Sequence, residues 1–147
     1  MRLLLDTHIL LWWLADDPAL PAQADVLIAD SANEILVSPI SLWEIAIKAH
    51  LGKLTADIDE IHTAALTNGF TVLPFTDMHA VAVARLPDYH RDPFDRALIA
   101  QAHVEPLYLL THDQMVASYS KNILLVRKAD RYYVSVRNPI AKATRSL

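Results

Sequence analysis

The chain has 147 residues, 53% of them apolar, which describes one folded domain with a sizeable core and excludes wholesale disorder. Only 2 Gly and no Cys are present, so glycine-loop nucleotide sites, disulfides, thiolate zinc sites and a cysteine nucleophile are excluded. The net charge of −4 is uneven, with 6 Lys/Arg against 16 Asp/Glu over residues 1–120 and 7 against 1 beyond, an acidic body unlike a generic DNA-coating surface.

In chain order, RLLL (2–5) reads as a strand and ILLWWLA (9–15) as a helix. Asp6 and His8 interrupt this N-terminal apolar run, which is too short for a membrane span and too charged for an export signal. A soluble, cytoplasmic protein with no membrane association is therefore expected. Helix PAQADVLIADSA (21–32), strand EILV (34–37), helix SLWEIAIKAHLGKL (41–54) and helix DIDEIHTAALTNG (57–69) follow. Strand FTVL (70–73) leads to helices DMHAVAVARL (77–86) and PFDRALIAQAHV (93–104). Strand PLYLL (106–110), helix HDQMVASYS (112–120) and strand NILLV (122–126) complete an expected domain over residues 1–126. The basic extension over 127–147 contains one more expected edge strand, YYVSV (132–136), and a loose end. Strands that are apolar throughout, alternating with helices, indicate an α/β protein with a parallel sheet covered on both faces.

Ligands of open α/β sheets bind beyond the carboxyl ends of the strands. Asp6, Thr7 and His8 follow the first strand; Ser38, Ser41 and Glu44 follow the second; Thr111, His112 and Asp113 follow PLYLL. HRDPFDR (90–96) adds Asp92 and Asp95 at the start of a helix. Each acid has an ordinary alternative role. Asp6 suits a helix N-cap, although Thr7 would cap equally well. Ser41-x-x-Glu44 matches a capping box, and Glu44 with Lys48 forms an i,i+4 pair, yet the apolar neighbours of Glu44 leave it little exposed face. Pro93 fits the first helical position, which makes Asp92 the natural cap and leaves Asp95 as the ligand one turn on. Asp113 suits a turn, and Thr111 either a turn or the orientation of a bound water. Together the four acids Asp6, Glu44, Asp95 and Asp113 would repel one another without a counter-charge. An oxygen-only donor set fits Mg²⁺, with Mn²⁺ as the other candidate, and suits phosphate-ester hydrolysis by an activated water with no side-chain nucleophile.

LLLDTHILLWWL, SPISLWEIAIKAHLGKL, HRDPFDRALIAQA and LLTHD resemble, in order and spacing, the PIN-domain family, and its VapC-like toxin branch in particular. The resemblance covers about residues 1 to 126 and implies a three-layer α/β/α sandwich around a mostly parallel sheet of about five strands. It also implies Mg²⁺-dependent endoribonuclease activity, a homodimer, and a small antitoxin partner that occludes the active site. The family's acidic quartet falls on Asp6, Glu44, Asp95 and Asp113, with Thr7, Ser38, Asp92 and Thr111 as supporting residues.

Two other classes share some of these features. A signalling receiver also gathers aspartates at strand ends, but the phosphoacceptor Asp and the Lys it needs are missing from the matching strand ends. A His/Asp metal hydrolase is suggested by His8, His90 and His112, each within two residues of an Asp, and imidazole favours zinc or other transition metals. The same fold kept as a non-catalytic binding module would not need all four acids. For RNA, Lys48, Lys53, Arg91, Arg96 and the basic extension are either phosphate contacts or solvated charges, with Lys48 alternatively paired to Glu44. Trp12, Trp13 and Trp43 are either base-stacking surfaces or core and interface residues.

Overall fold

The computed structural model describes residues 1–127. The basic segment from residue 128 on, with the edge strand expected over 132–136, lies outside the described residues. Five strands, β1 (Arg2–Leu5), β2 (Glu34–Val37), β3 (Thr71–Val72), β4 (Tyr108–Thr111) and β5 (Ile123–Leu125), form one parallel sheet in the order β3-β2-β1-β4-β5. The helices are α1 (Thr7–Leu14), α2 (Ala22–Ala29), α3 (Pro39–His50), α4 (Ile58–Thr67), α5 (Asp77–Val83), α6 (Pro93–Val104) and α7 (Gln114–Ala117).

Consecutive residues of a strand face opposite sides of its sheet, so a strand covered on both faces must be apolar at every position. β1 obeys this at the centre of the sheet. Its Leu3 and Leu5 join Ile9, Leu10 and Trp13 of α1, Ile28 of α2, Ile45 of α3 and Ala65 of α4 in one core. Leu4 points the other way, into a second core with Leu98, Ile99 and Ala102 of α6 and Val116 of α7. Two cores separated by one sheet make the α/β/α sandwich expected from the sequence. Among the described residues, no helix is long and apolar enough to cross a membrane.

Several boundaries shift, each for a local reason. Helix α3 begins at Pro39 with Ser38 as its N-cap, whose hydroxyl accepts from Ile40 N–H at 3.0 Å. The capping box expected at Ser41 and Glu44 is therefore absent, because the chain turns helical earlier and Ser41 lies inside the first turn. Helix α3 also stops at His50 and not at 54: Gly52 takes φ +72° and the Lys53 N–H bonds back to the Lys48 carbonyl, a glycine C-terminal stop. Helix α5 ends at Val83, since Leu86 precedes a proline and is steered away from helix. Helix α7 is a single turn over Gln114–Ala117.

The strand order places the reversal of chain direction at β1 and β4, where open parallel sheets leave a crevice beyond their carboxyl ends. Pairing between these strands runs Leu3↔Tyr108, Leu4↔Leu109, Leu5↔Leu110, and continues in the Asp6 N–H to Leu110 carbonyl bond of 3.0 Å. This register sets Asp6 beside Thr111.

Candidate active site at the carboxyl edge of the sheet

Asp6 leaves β1 in extended backbone (φ −70°, ψ 166°) and caps α1, its Oδ1 accepting from Ile9 N–H at 2.8 Å. Capping uses one carboxylate oxygen and leaves the other directed across to β4. There Oδ2 accepts a short hydrogen bond from the Thr111 hydroxyl. Thr111 is fully buried, and its oxygen also accepts from Asp113 N–H at 3.1 Å, so one side chain ties two acids together. The 3.8 Å between His112 Nδ1 and Asp6 Oδ2 is too long for a hydrogen bond but close enough for the carboxylate to favour a protonated imidazole.

Thr7 is not the cap. Its hydroxyl donates to Glu44 Oε1 at 2.7 Å and lies 3.0 Å from the Ser41 hydroxyl. A hydroxyl has one proton and the carboxylate only accepts, so Ser41 donates to Thr7 and Thr7 to Glu44. The second Glu44 oxygen pairs with Lys48, whose pKa is raised by that hydrogen bond. Glu44 is 5% exposed and both its oxygens are engaged, as a buried carboxylate requires.

Asp92 caps α6, accepting from Phe94 N–H at 2.8 Å and Asp95 N–H at 3.1 Å. Asp95, one turn in, points Oδ2 at His90 Nε2, 2.8 Å away. Asp113 caps α7 through Oδ1, while its Oδ2 lies 3.6 Å from the same His90 nitrogen. Ligand atoms of His90, Asp95 and Asp113 all fall within 4.8 Å of one another. Burial, then the charges of Asp92 and Asp6, push the Asp95 pKa up from 3.8 to about 6; His90 pulls it down and Glu44 adds to the rise. Asp6, Glu44 and Asp92, from three other places in the chain, thus act on Asp95, and Asp113 faces it across His90.

The sequence model of the PIN domain matches residues 3–122, four-fifths of the chain. This chain belongs to the PIN-domain family. Ribonuclease VapC22 of Mycobacterium tuberculosis is 30% identical over 122 residues, covering 79% of this chain and 90% of that protein. Among solved structures, VapBC2 from Rickettsia felis bound to a promoter DNA fragment is similar at TM-score 0.64 and 17% identity, covering 88% of this chain and 100% of that one. A toxin–antitoxin complex from Klebsiella pneumoniae aligns at TM-score 0.57 and 18% identity, over 86% of this chain and 98% of that one. At such identities these structures speak to the fold alone, and they confirm it as PIN-like.

The donor set of this PIN domain fits a divalent cation. Hard carboxylate oxygens dominate, Asp95 is held above the usual carboxylate range by burial and then by neighbouring negative charge, and His112 Nδ1 is buried without a hydrogen-bond partner among the described residues. Asp6 raises the His112 pKa, outweighing burial, with Asp113 and Asp95 adding to the effect. The carboxylates around His112 thus favour its protonated form.

The remaining expected residues divide by what they touch. Ser38 is a buried cap and Asp92 a helix cap, each with a hydroxyl or carboxylate turned to backbone. Arg91 is exposed beside the site, and Lys53 is exposed farther along, past the end of α3. Arg96 is occupied: its guanidinium donates to the carbonyls of Pro87, His90, Val83 and Leu86 and to the Tyr119 hydroxyl. It clamps the loop ahead of α6 and has little left to offer a phosphate. Trp13 is core, packed near Phe70, whereas Trp43 is 56% exposed and meets Phe94 edge-on. Trp12 meets His112 edge-on at 4.7 Å and stacks on His8 at 5.7 Å. Sequence reasoning missed Tyr119, whose hydroxyl accepts from His90 N–H at 2.7 Å; that contact joins two loops across the fold and leaves no local signature.

Proposed function

We propose that this PIN-domain protein is a divalent-metal-dependent endoribonuclease, the toxin of a type II toxin–antitoxin pair. The observation that carries the reading is the convergence of Asp6, Glu44, Asp95 and Asp113 at the switch point of the sheet, with Asp95 pushed up to about 6 by burial and like charge. Such a cluster is costly unless a cation shares it. Similarity to Ribonuclease VapC22 and to solved toxin–antitoxin assemblies supports RNA as substrate and a small antitoxin as partner. A homodimer acting in the cytoplasm completes the reading.

In this proposal Asp6, Asp95 and Asp113 hold Mg²⁺ or Mn²⁺, with Glu44 as fourth acid. Bound there, the ion lowers the pKa of a water and neutralises charge on the phosphate. Thr111 fixes the Asp6 carboxylate in one orientation. Thr7 and Ser41 do the same for Glu44, and Ser38 and Asp92 hold the two helix starts from which Glu44 and Asp95 project. Lys48 compensates Glu44 and lies within reach of a phosphate, and Arg91 and the basic extension supply further cations toward the RNA backbone. Arg96 supports the site through its loop.

The test is incubation of the purified chain with total RNA in Mg²⁺ or Mn²⁺, followed by sequencing of the new ends. Specific ends should appear, vanish with EDTA, and be absent for Asp6→Asn and Asp95→Asn proteins that retain wild-type circular dichroism. Cleavage that survives EDTA or either substitution overturns the assignment.

A further inference from the structure

We propose that His90 is itself a metal ligand, its Nε2 joining the carboxylates of Asp95 and Asp113 in a mixed nitrogen–oxygen site that takes a first-row transition ion such as Mn²⁺ in preference to Mg²⁺. This rests on the metal-nuclease reading above and extends it beyond the acidic quartet.

Spacing is the first support. Adjacent ligands of an octahedral ion with bonds of about 2.1 Å lie roughly 3 Å apart, and opposite ones about 4.2 Å. His90 Nε2 stands 2.8 Å from Asp95 Oδ2 and 3.6 Å from Asp113 Oδ2, with all three ligand atoms within 4.8 Å. Small side-chain rotations bring these atoms onto one octahedral face.

Preorganisation is the second. A solvated loop histidine would turn freely, but His90 is fixed at its backbone on both sides. Its N–H donates to the Tyr119 hydroxyl at 2.7 Å, and its carbonyl accepts from Arg96 Nη1 and the Tyr119 hydroxyl, each at 3.3 Å. Arg96 lies in the turn that carries Asp95, so ligand and clamp move together. The ring is mostly buried, its side chain 18% exposed.

Nδ1 accepts from Arg91 N–H at 3.1 Å, which leaves the ring proton on Nε2 and makes it a donor to Asp95. In that state the N–H occupies the place of a cation between two carboxylates. On ligation the single ring proton moves from Nε2 to Nδ1 through solvent, so the imidazole stays neutral and presents its Nε2 lone pair to the ion. The Arg91 N–H, in an exposed stretch, then turns to water.

Donor chemistry sets the preference. Mg²⁺ gives up water reluctantly and is held by one or two carboxylates, so an added nitrogen gains it little. Imidazole nitrogen favours first-row transition ions, and two carboxylates keep the site hard enough for Mn²⁺.

The experiment is Mn²⁺ titration of the full chain followed by electron paramagnetic resonance, with pulsed detection of ¹⁴N coupling, alongside calorimetric Mg²⁺ and Mn²⁺ titrations. Wild type should show ¹⁴N coupling to bound Mn²⁺. His90→Asn should remove it and weaken Mn²⁺ binding about tenfold, with Mg²⁺ binding changed less than about threefold, in the range of losses seen when a metal site loses supporting contacts. His112→Asn should leave the coupling intact. Bound Mn²⁺ without ¹⁴N coupling, or coupling that persists in His90→Asn, overturns the proposal. His90→Gln serves if the Asn protein misfolds. Asp95→Asn separates the two readings: if it too leaves Mn²⁺ binding unchanged, the metal-nuclease reading fails; if it abolishes binding while His90→Asn does nothing, only the His90 assignment fails.

Discussion

Replacing Asp95 with Asn should stabilise the metal-free protein while silencing it. Burial first, then Asp92 and Asp6, raise the Asp95 pKa from 3.8 to about 6, so the fold disfavours its ionised form. At ~1.4 kcal/mol per pKa unit the shift corresponds to about 3 kcal/mol. The side chain is 25% exposed; screening by solvent trims this to about 2 kcal/mol. Against that stand the attraction of an N3 carboxylate to the α6 dipole, ~0.3–1 kcal/mol, and the weakening of the His90 hydrogen bond, ~0.5 kcal/mol. The net is a gain of about 1 kcal/mol, or ~3 °C in Tm for a chain of this size. Because the folded pKa is raised, this group's stabilisation is complete below about pH 4 and is lost as pH rises through about 6. Wild type in chelator should therefore gain a stability increment between pH 7 and pH 5 that the Asn protein lacks. Saturating Mg²⁺ or Mn²⁺ should reverse the order, since an ion at ~100 times its Kd adds about 2.7 kcal/mol to the form that binds it. Urea denaturation at both pH values, with EDTA or metal, measures all four states. An Asn protein less stable than wild type at pH 7 in EDTA would refute the electrostatic reasoning.

Thr111→Val keeps the shape but removes the donor to Asp6, which should cost ~1–3 kcal/mol and lower cleavage at least tenfold in a folded protein; unchanged activity would mean that Asp6 needs no such orientation. Arg96→Lys cannot span the loop carbonyls and should destabilise by ~2 kcal/mol while leaving the salt dependence of RNA binding unchanged. A slope shallower by about one charge would instead mark Arg96 as a phosphate contact. Asp92→Ala should cost about 1 kcal/mol through the lost α6 cap and leave cleavage within several-fold of wild type; a folded but silent variant would make Asp92 more than a cap. Metal affinity, followed by calorimetry, should fall as pH drops through about 6, where protons compete for Asp95; a flat profile from pH 5 to 7 would contradict its place at the ion.

How legible the molecule was depends on the range of the interaction concerned. The parallel sheet was readable because burial on both faces demands apolar runs, and β1, β2 and β4 spell it in Leu, Ile and Val. Asp92 and Asp95 were separable from Pro93 alone, a rule of the first helical turn. Ser38 and Glu44 were harder: Ser41-x-x-Glu44 satisfies a local capping pattern, and only Pro39 told that the helix starts earlier. Once α3 begins at Pro39, Ser41 turns inward to Thr7, a contact across 34 residues that no local pattern carries. Arg96 misled for the same reason. Beside a cluster of acids proposed to cleave RNA an arginine reads as a phosphate contact, and the carbonyls that consume it become neighbours only after the loop folds back.

The tertiary contacts also change what the acids are. Along the chain Asp6, Glu44, Asp92 and Asp113 each have a local structural role to play, and Asp6, Asp92 and Asp113 do cap helices through one oxygen. Capping fixes each carboxylate at the start of a helix that begins at the carboxyl edge of the sheet, so the other oxygen of Asp6 and Asp113 is left free of the cap and turned toward the crevice. Capping and the proposed metal-binding role are therefore not rivals at these positions. Parallel strands feeding capped helices generate inward-facing anionic oxygens as a by-product of ending each strand. The buried Thr111 hydroxyl then holds the Asp6 carboxylate in place, and in the proposed function a cation makes the proximity of the acids tolerable.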